Sequence, residues 1–146
     1  MVTLEPARPE DAPLFAALEQ GADTREFVAP YSDVEHARRM LDPAMVYLRI
    51  LADGALAGFF ILVLDPDGTS IEFRRVVVSA DRRGIGQTAI TAMENYCRAE
   101  LRRPRIWLDV FEHNHRSRHI YDKLGYEQYG RGSYEGRPLL LYQKYL

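Results

Sequence analysis

The sequence predicts an α/β (α+β) domain: one mixed, mostly antiparallel sheet of six to seven strands, helices on both faces, and one parallel strand–helix–strand crossover. Three observations carry this. Apolar runs of period two fill 45–78 between tight-turn signals, helical patterns alternate with strands from residue 76 onward, and 146 residues at 47% hydrophobic suit one core but not two. A single domain over 1–146 is expected.

The first strand is short, residues 2–5. A helix follows from about Pro9 to Glu19, with Pro, Glu and Asp in its first turn, where the free N–H groups and the positive dipole end favour them. "GADTREFVAPY" reads as a loop, after which Ser32 and Glu35 stand at capping-box spacing and open a second helix through "HARRML". From Met45 the period changes. "MVYLRILAD" and "ALAGFFILVL" are strands joined at Asp53-Gly54, a dipeptide suited to a tight hairpin, and "DPDG" turns the chain into "SIEFRRVVVS", the third strand of an antiparallel meander. The next helix is predicted over 86–101, with Ala89, Ile90, Met93, Tyr96 and Cys97 on one face. "RIWLDVF" is a strand, "NHRSRHIYDKLG" a helix ending at Gly125, and two last strands flank "GRGSYEGR".

No run approaches the roughly 18 apolar residues of a membrane span, and the acidic start "MVTLEPARPEDA" lacks the basic-then-apolar layout of a secretory leader. A cytoplasmic protein is expected, without membrane or nucleic acid as partner: net charge is -2, and the basic "LRRPRIW" has no interleaved aromatic surface. The only cysteine, Cys97, reads as a small buried hydrophobe. Charge is uneven along the chain. Residues 1–36 hold eight acids against two arginines, whereas 71–146 hold fourteen Lys and Arg against nine Asp and Glu, which suits two ligands of opposite charge. Solvated faces are the plainer explanation for most of these residues taken singly.

The stretch "VVVSADRRGIGQTAI", 76–90, runs from a strand through two glycines into a helix. Unpaired N–H groups at a helix start bind phosphate oxygens; Gly84 and Gly86 would let an anion touch the backbone, and Arg82 and Arg83 add charge. The same glycines would equally serve a helix start that needs positive φ. A P-loop is excluded by spacing. The dinucleotide fingerprint is met by Gly84, Gly86 and Ala89, with Asp109 twenty residues further on. Against it, Ser79 to Arg83 separate the strand from the first glycine, Asp109 lies inside its strand, and only 37 residues remain after it for further βαβ units.

Taken together, these residues resemble the GNAT superfamily of acyl-CoA-dependent N-acetyltransferases. "DRRGIG", 81–86, is similar to its diphosphate loop Q/R-x-x-G-x-G/A, with Asp81 where Gln or Arg is usual. Asn114, Ser117, Tyr121, Gly125 and Tyr126 match a second family motif, N-x-x-A/S-x-x-x-Y-x-x-x-G-F/Y. The likeness covers nearly the whole chain and extends to the branch of ribosomal-protein N-terminal and polyamine acetyltransferases, which does not fix a substrate. It implies acetyl-CoA as co-substrate, no metal, a primary amine acceptor (small amine, polyamine or peptide amine), and a possible homodimer. A non-catalytic acyl-CoA-binding sensor is the alternative.

The implied reaction is direct attack of the amine on the thioester. The amine, with a pKa near ~10, must lose a proton, the developing oxyanion needs a donor, and the leaving thiolate gains from a proton. The resemblance implies Glu72 as base, against a strand carboxylate merely paired with Arg74 or Arg49, and Tyr121 as acid, against a core tyrosine. It implies main-chain groups of Val76, Val77 and Val78 beside the pantetheine, and a phosphate grip from Arg82, Arg83, Gly84, Ile85, Gly86, Gln87 and Thr88. Asn114 and Ser117 would line the cofactor arm, and Asn114 can also cap its helix. Phe27, Tyr31, Tyr134 and Glu135 fall on the loops expected to hold the acceptor, and the acidic N-terminal segment hints at a cationic one. His115 and His119 have metal-compatible helical spacing, but no cysteine or well-placed carboxylate beyond Glu112 joins them, so a solvated or subunit-facing role is expected.

Overall fold

The structure, a computed structural model, describes residues 1–21, 29–82 and 84–146. Phe27 and Arg83 lie outside the described residues. The strands are β1 (Val2–Pro6), β2 (Met45–Ala52), β3 (Ala55–Leu64), β4 (Ser70–Val78), β5 (Arg105–Phe111), β6 (Glu127–Tyr134) and β7 (Arg137–Tyr145). The helices are α1 (Ala12–Gly21), α2 (Asp33–Met40), α3 (Gly86–Ala99) and α4 (His115–Lys123). All seven strands join one sheet in the order β1-β2-β3-β4-β5-β7-β6, antiparallel except where β4 meets β5.

Each hairpin turn follows its signal, with Asp53 and Gly54 both at positive φ (51° and 85°) between β2 and β3. The first helix departs from the predicted start. Pro9–Asp11 form a 3-10 turn, held by the Arg8 N–H donating to the Asp11 carboxylate at 2.8 Å, and the α-helix begins at Ala12. Ser32 does cap α2, its hydroxyl accepting from the Glu35 N–H at 3.1 Å. The Glu35 carboxylate does not complete the box, because Arg38 and Arg39, three and four residues on, draw it along the helix.

Two apolar clusters flank the sheet. On one face Phe15 of α1 packs with Tyr47, Phe59, Ile61 and Val77 beneath α1 and α2. On the other, Leu48, Phe60, Phe73, Ala89, Met93, Leu108, Leu140 and Tyr142 form the larger core under α3 and α4. Cys97 belongs to that core, and burial pushes its thiol up to about 12, as befits a hydrophobe. β3 is buried along Ala57–Leu62. At Gly58 an added Cβ would lie 2.1 Å from the Val77 carbonyl oxygen, so β3 and β4 approach as only glycine allows. Among the described residues no helix is long and apolar enough to cross a membrane.

Candidate active site

β4 and β5 share only three residue pairs, Ser70↔Arg105, Ile71↔Ile106 and Glu72↔Trp107. β4 carries a bulge just beyond. Ile61 of β3 faces Arg75 and Leu62 faces Phe73, leaving Arg74 unmatched. A bulge sharpens local twist, and here it accompanies the parting of β4, still bound to β3, from β5, still bound to β7. The opening between them is a cavity of about 600 Å³.

Strand alternation sorts its walls. On β5, Ile106, Leu108 and Val110 enter the larger core, so Trp107, Asp109 and Phe111 take the α1/α2 face. On β4, Phe73 enters the same core and Glu72 takes the α1/α2 face. Two carboxylates thus stand on one face, on opposite sides of the opening. Glu72 accepts both arms of the Arg74 guanidinium, at 3.0 and 2.8 Å. Asp109 has no ion pair or hydrogen bond among the described residues, and burial, then the negative charge of Glu72, raise its pKa against the opposing effect of Arg74.

Tyr121 reaches the cavity from the opposite face. The family of rings around it fixes its position: Phe73 edge-on at 6.0 Å between centroids, Tyr126 at 5.7 Å and Tyr142 at 6.3 Å. Burial, then the charge of Asp109, raise its pKa, so the phenol keeps its proton at neutral pH. Asn114 and Ser117 line the same wall, and the Asn114 side-chain oxygen caps α4 by accepting from the Ser117 N–H at 3.3 Å.

A buried polar network braces the wall next to α1 and α2. Glu19 accepts from Arg75 Nη1 at 2.6 Å, from His36 Nε2 at 2.5 Å and from the Tyr31 N–H at 3.3 Å. His36 Nδ1 lies 2.9 Å from the Tyr47 hydroxyl, whose pKa burial raises. Nε2 carries the proton that the carboxylate accepts, and Nδ1 shares a hydrogen bond with the Tyr47 hydroxyl. The Tyr31 ring is clasped between Arg39 and Arg75, 4.2 and 4.0 Å from its centroid.

At the far end of β4, Ala80–Arg82 form a 3-10 turn, with the Ser79 hydroxyl donating to the Asp81 carboxylate and lowering its pKa. Gly84 has φ +95°, so the conformational role foreseen for a glycine is real there. α3 then starts at Gly86 behind Ile85, and among the described residues there is no side-chain cap and no atom beyond the chain neighbours within 4 Å of a Cβ placed at Gly84 or Gly86. The helix start is therefore bare and open on the side where an anion would approach.

Residues 13–126 match the acetyltransferase (GNAT) family. The chain belongs to that family. As a GNAT enzyme it is an acyl-CoA-dependent N-acetyltransferase. The fold is shared with solved GNAT structures. Spermidine N-acetyltransferase SpeG from Vibrio cholerae, in complex with CoA and spermine, superposes with a TM-score of 0.81 at 18% identity, over 99% of this chain and 95% of that one. Its dodecameric form in an intermediate state gives 0.77 at 19%, over 99% and 93%. No curated protein matches in sequence.

Within this GNAT fold, the residues singled out on the sequence divide into two places. Glu72, Val76, Asn114, Ser117, Tyr121, Tyr31, Tyr134 and Glu135 line the cavity. Val77 and Val78 continue β4 past it, and Arg82 and Gly84 to Thr88 lie at the turn and helix start. His115 and His119 lie on α4, both exposed. Asp109, Arg74, Arg75, Phe111 and Arg137 were not foreseen as site residues, yet all five line the cavity. For Asp109 a signal existed: a charge inside an apolar strand is costly unless the strand has an open face. Its place within β5 argues against a strand-end ligand, but pairing with β4 ends two residues earlier, at Trp107, so Asp109 stands where the sheet has already opened.

Proposed function

We propose that residues 1–146 form one catalytic domain in which the amine enters from the α1/α2 face and acetyl-CoA lies against the α3/α4 face, the two meeting through the opening between β4 and β5. The observation that carries this is the early end of the β4–β5 ladder, which leaves Asp109 and Glu72 on one face and Tyr121 on the other of a single cavity.

The residues present suit acetyl-CoA. The Ser79 N–H donates to Ala57 at 2.7 Å, so by antiparallel alternation Val77 also turns its main chain to β3, while Val76 and Val78 turn theirs outward to the open edge. Those outward groups would hold the pantetheine arm, and the first-turn N–H groups at Gly86, Gln87 and Thr88, with Gly84, Ile85 and the charge of Arg82 and Arg83, would hold the diphosphate. Bound there, acetyl-CoA supplies an activated acetyl group.

The chain's own part is proton handling and positioning. Asp109, uncommitted and with a raised pKa, is the better base: it takes the ammonium proton, which Glu72, spent on Arg74, is less able to do. Glu72 then serves to raise the basicity of Asp109 and to hold Arg74 at the rim. Tyr121 holds the proton for the leaving sulfur. Tyr31, Tyr134 and Glu135 border the amine side; Phe27 is carried as an acceptor-side residue on its loop position. The domain is proposed to work in the cytoplasm, as a homodimer.

The test is release of CoA thiol from acetyl-CoA on addition of primary amines, with Tyr121→Phe alongside. The expected outcome is amine-dependent release, lowered at least tenfold in kcat by the substitution with the Kd for CoA unchanged. Release independent of amine, or a variant as fast as the parent, would overturn the assignment.

A further inference from the structure

We propose that the acceptor amine also carries an oxyanion group, a carboxylate or a phosphate, which sits on Arg137 while the amine meets Asp109. This deepens the acetyl-transfer reading and rests on it. The cavity wall holds three acids, Glu72, Asp109 and Glu135, and three arginines, Arg74, Arg75 and Arg137. Among the described residues that line the cavity the charges balance, and three of the six, Glu72, Arg74 and Arg75, are already paired.

Arg74 is bound by Glu72 at 2.8 and 3.0 Å, and Arg75 by the buried Glu19 at 2.6 Å. That leaves Asp109 as the uncommitted anion facing the opening and Arg137 as the uncommitted cation; neither has an ion pair or hydrogen bond among the described residues. Glu135 lies at the exposed tip of the β6–β7 turn, at φ 49°, and Arg137 two residues on is exposed as well; Asp109 is the acid that shares a face of β5 with Phe111, over which Arg137 lies. Four acids of the N-terminal segment face internal partners. Glu5 and Asp11 bind Arg49, Glu19 binds Arg75 and His36, and Glu35 binds Arg38 and Arg39.

Arg137 is also pre-set for an oxyanion. Its guanidinium carbon lies 4.1 Å over the ring of Phe111, which is itself buried. A guanidinium held over a ring by cation–π attraction spends none of its N–H groups there, and they remain for a two-point contact with an oxyanion. Phe111 is two residues beyond Asp109 on the same face of β5, roughly 7 Å along the strand. An amine at Asp109 and an oxyanion at Arg137 therefore match the span of a small amino acid or aminoalkyl phosphate.

The experiment compares kcat/KM within matched pairs by thiol release: lysine against cadaverine, which lacks only the carboxylate, and phosphoethanolamine against ethanolamine. At least one anionic member is expected to exceed its partner tenfold or more, and the pair that does so names the group. Arg137→Gln should bring that ratio close to one, through the acceptor KM, and Arg137→Lys should restore part of it. Equal or inverted ratios, a preference for spermidine over both anionic amines, or a ratio unmoved by Arg137→Gln would overturn the inference while leaving the transferase reading standing. Absence of amine-dependent release from every member would overturn that reading, and the inference with it.

Discussion

Replacing Glu19 with Gln tests the brace behind the acceptor wall. The side chain is 2% exposed and serves three donors, one of them Arg75, whose side chain is 9% exposed. Gln keeps the shape but removes the charge, so Arg75 is left as a nearly buried cation without its counterion, and His36 exchanges a charge-assisted bond for a neutral one. Breaking one partner of a buried ion pair costs about 3–5 kcal/mol. At roughly 2–4 °C per kcal/mol for a chain of this size, Tm should fall by about 6–20 °C. Urea denaturation and thermal melts measure both. Because Tyr31 is tied to Glu19 through its N–H and to Arg75 through its ring, the KM for the acceptor should rise while the Kd for CoA holds. A loss below about 1 kcal/mol with unchanged acceptor KM would refute the argument.

Further outcomes follow from other contacts. Gly58→Ala forces a methyl against the Val77 carbonyl, 2.1 Å away, and should cost about 1–3 kcal/mol and raise the KM for acetyl-CoA by shifting the β4 edge; thermal melts and steady-state kinetics check it. Asp109 works as the carboxylate, so kcat/KM should fall as pH drops through its raised pKa. Glu72→Gln removes one of the charges that raise it and frees Arg74, which lowers it, so the acidic limb of the pH profile should move to lower pH. Loss of that limb in Glu72→Gln would instead make Glu72 the base.

Much of the fold was legible because its signals are local. Turn dipeptides such as Asp53-Gly54, the period-two runs of β2 to β4 and the Ser32 cap each depend on a few neighbouring residues, and each appears in the structure. The glycine loop and Tyr121 stood out for the same reason, through short motifs, and the structure puts Gly84 at positive φ and Tyr121 at the cavity. What was hidden depends on register. A bulge leaves Arg74 unmatched and a three-pair ladder opens the sheet ahead of Asp109; both are consequences of how strands far apart in sequence align. The Glu19–His36–Tyr47 network was equally invisible, since it joins α1, α2 and β2 and no spacing in the chain announces it. The partners of Glu5, Asp11 and Glu19 in the acidic N-terminal segment were hidden for the same reason: each turns to an arginine or a histidine within the fold.

The central claim is that the opening between β4 and β5 is where the amine loses its proton to Asp109. The most direct measurement is the pH dependence of kcat/KM for Asp109→Asn beside the parent, with CoA affinity recorded for both. The account predicts a loss of about 10²–10⁴-fold, disappearance of the acidic limb and unchanged CoA binding. A variant retaining the parent's rate and the parent's limb would contradict it.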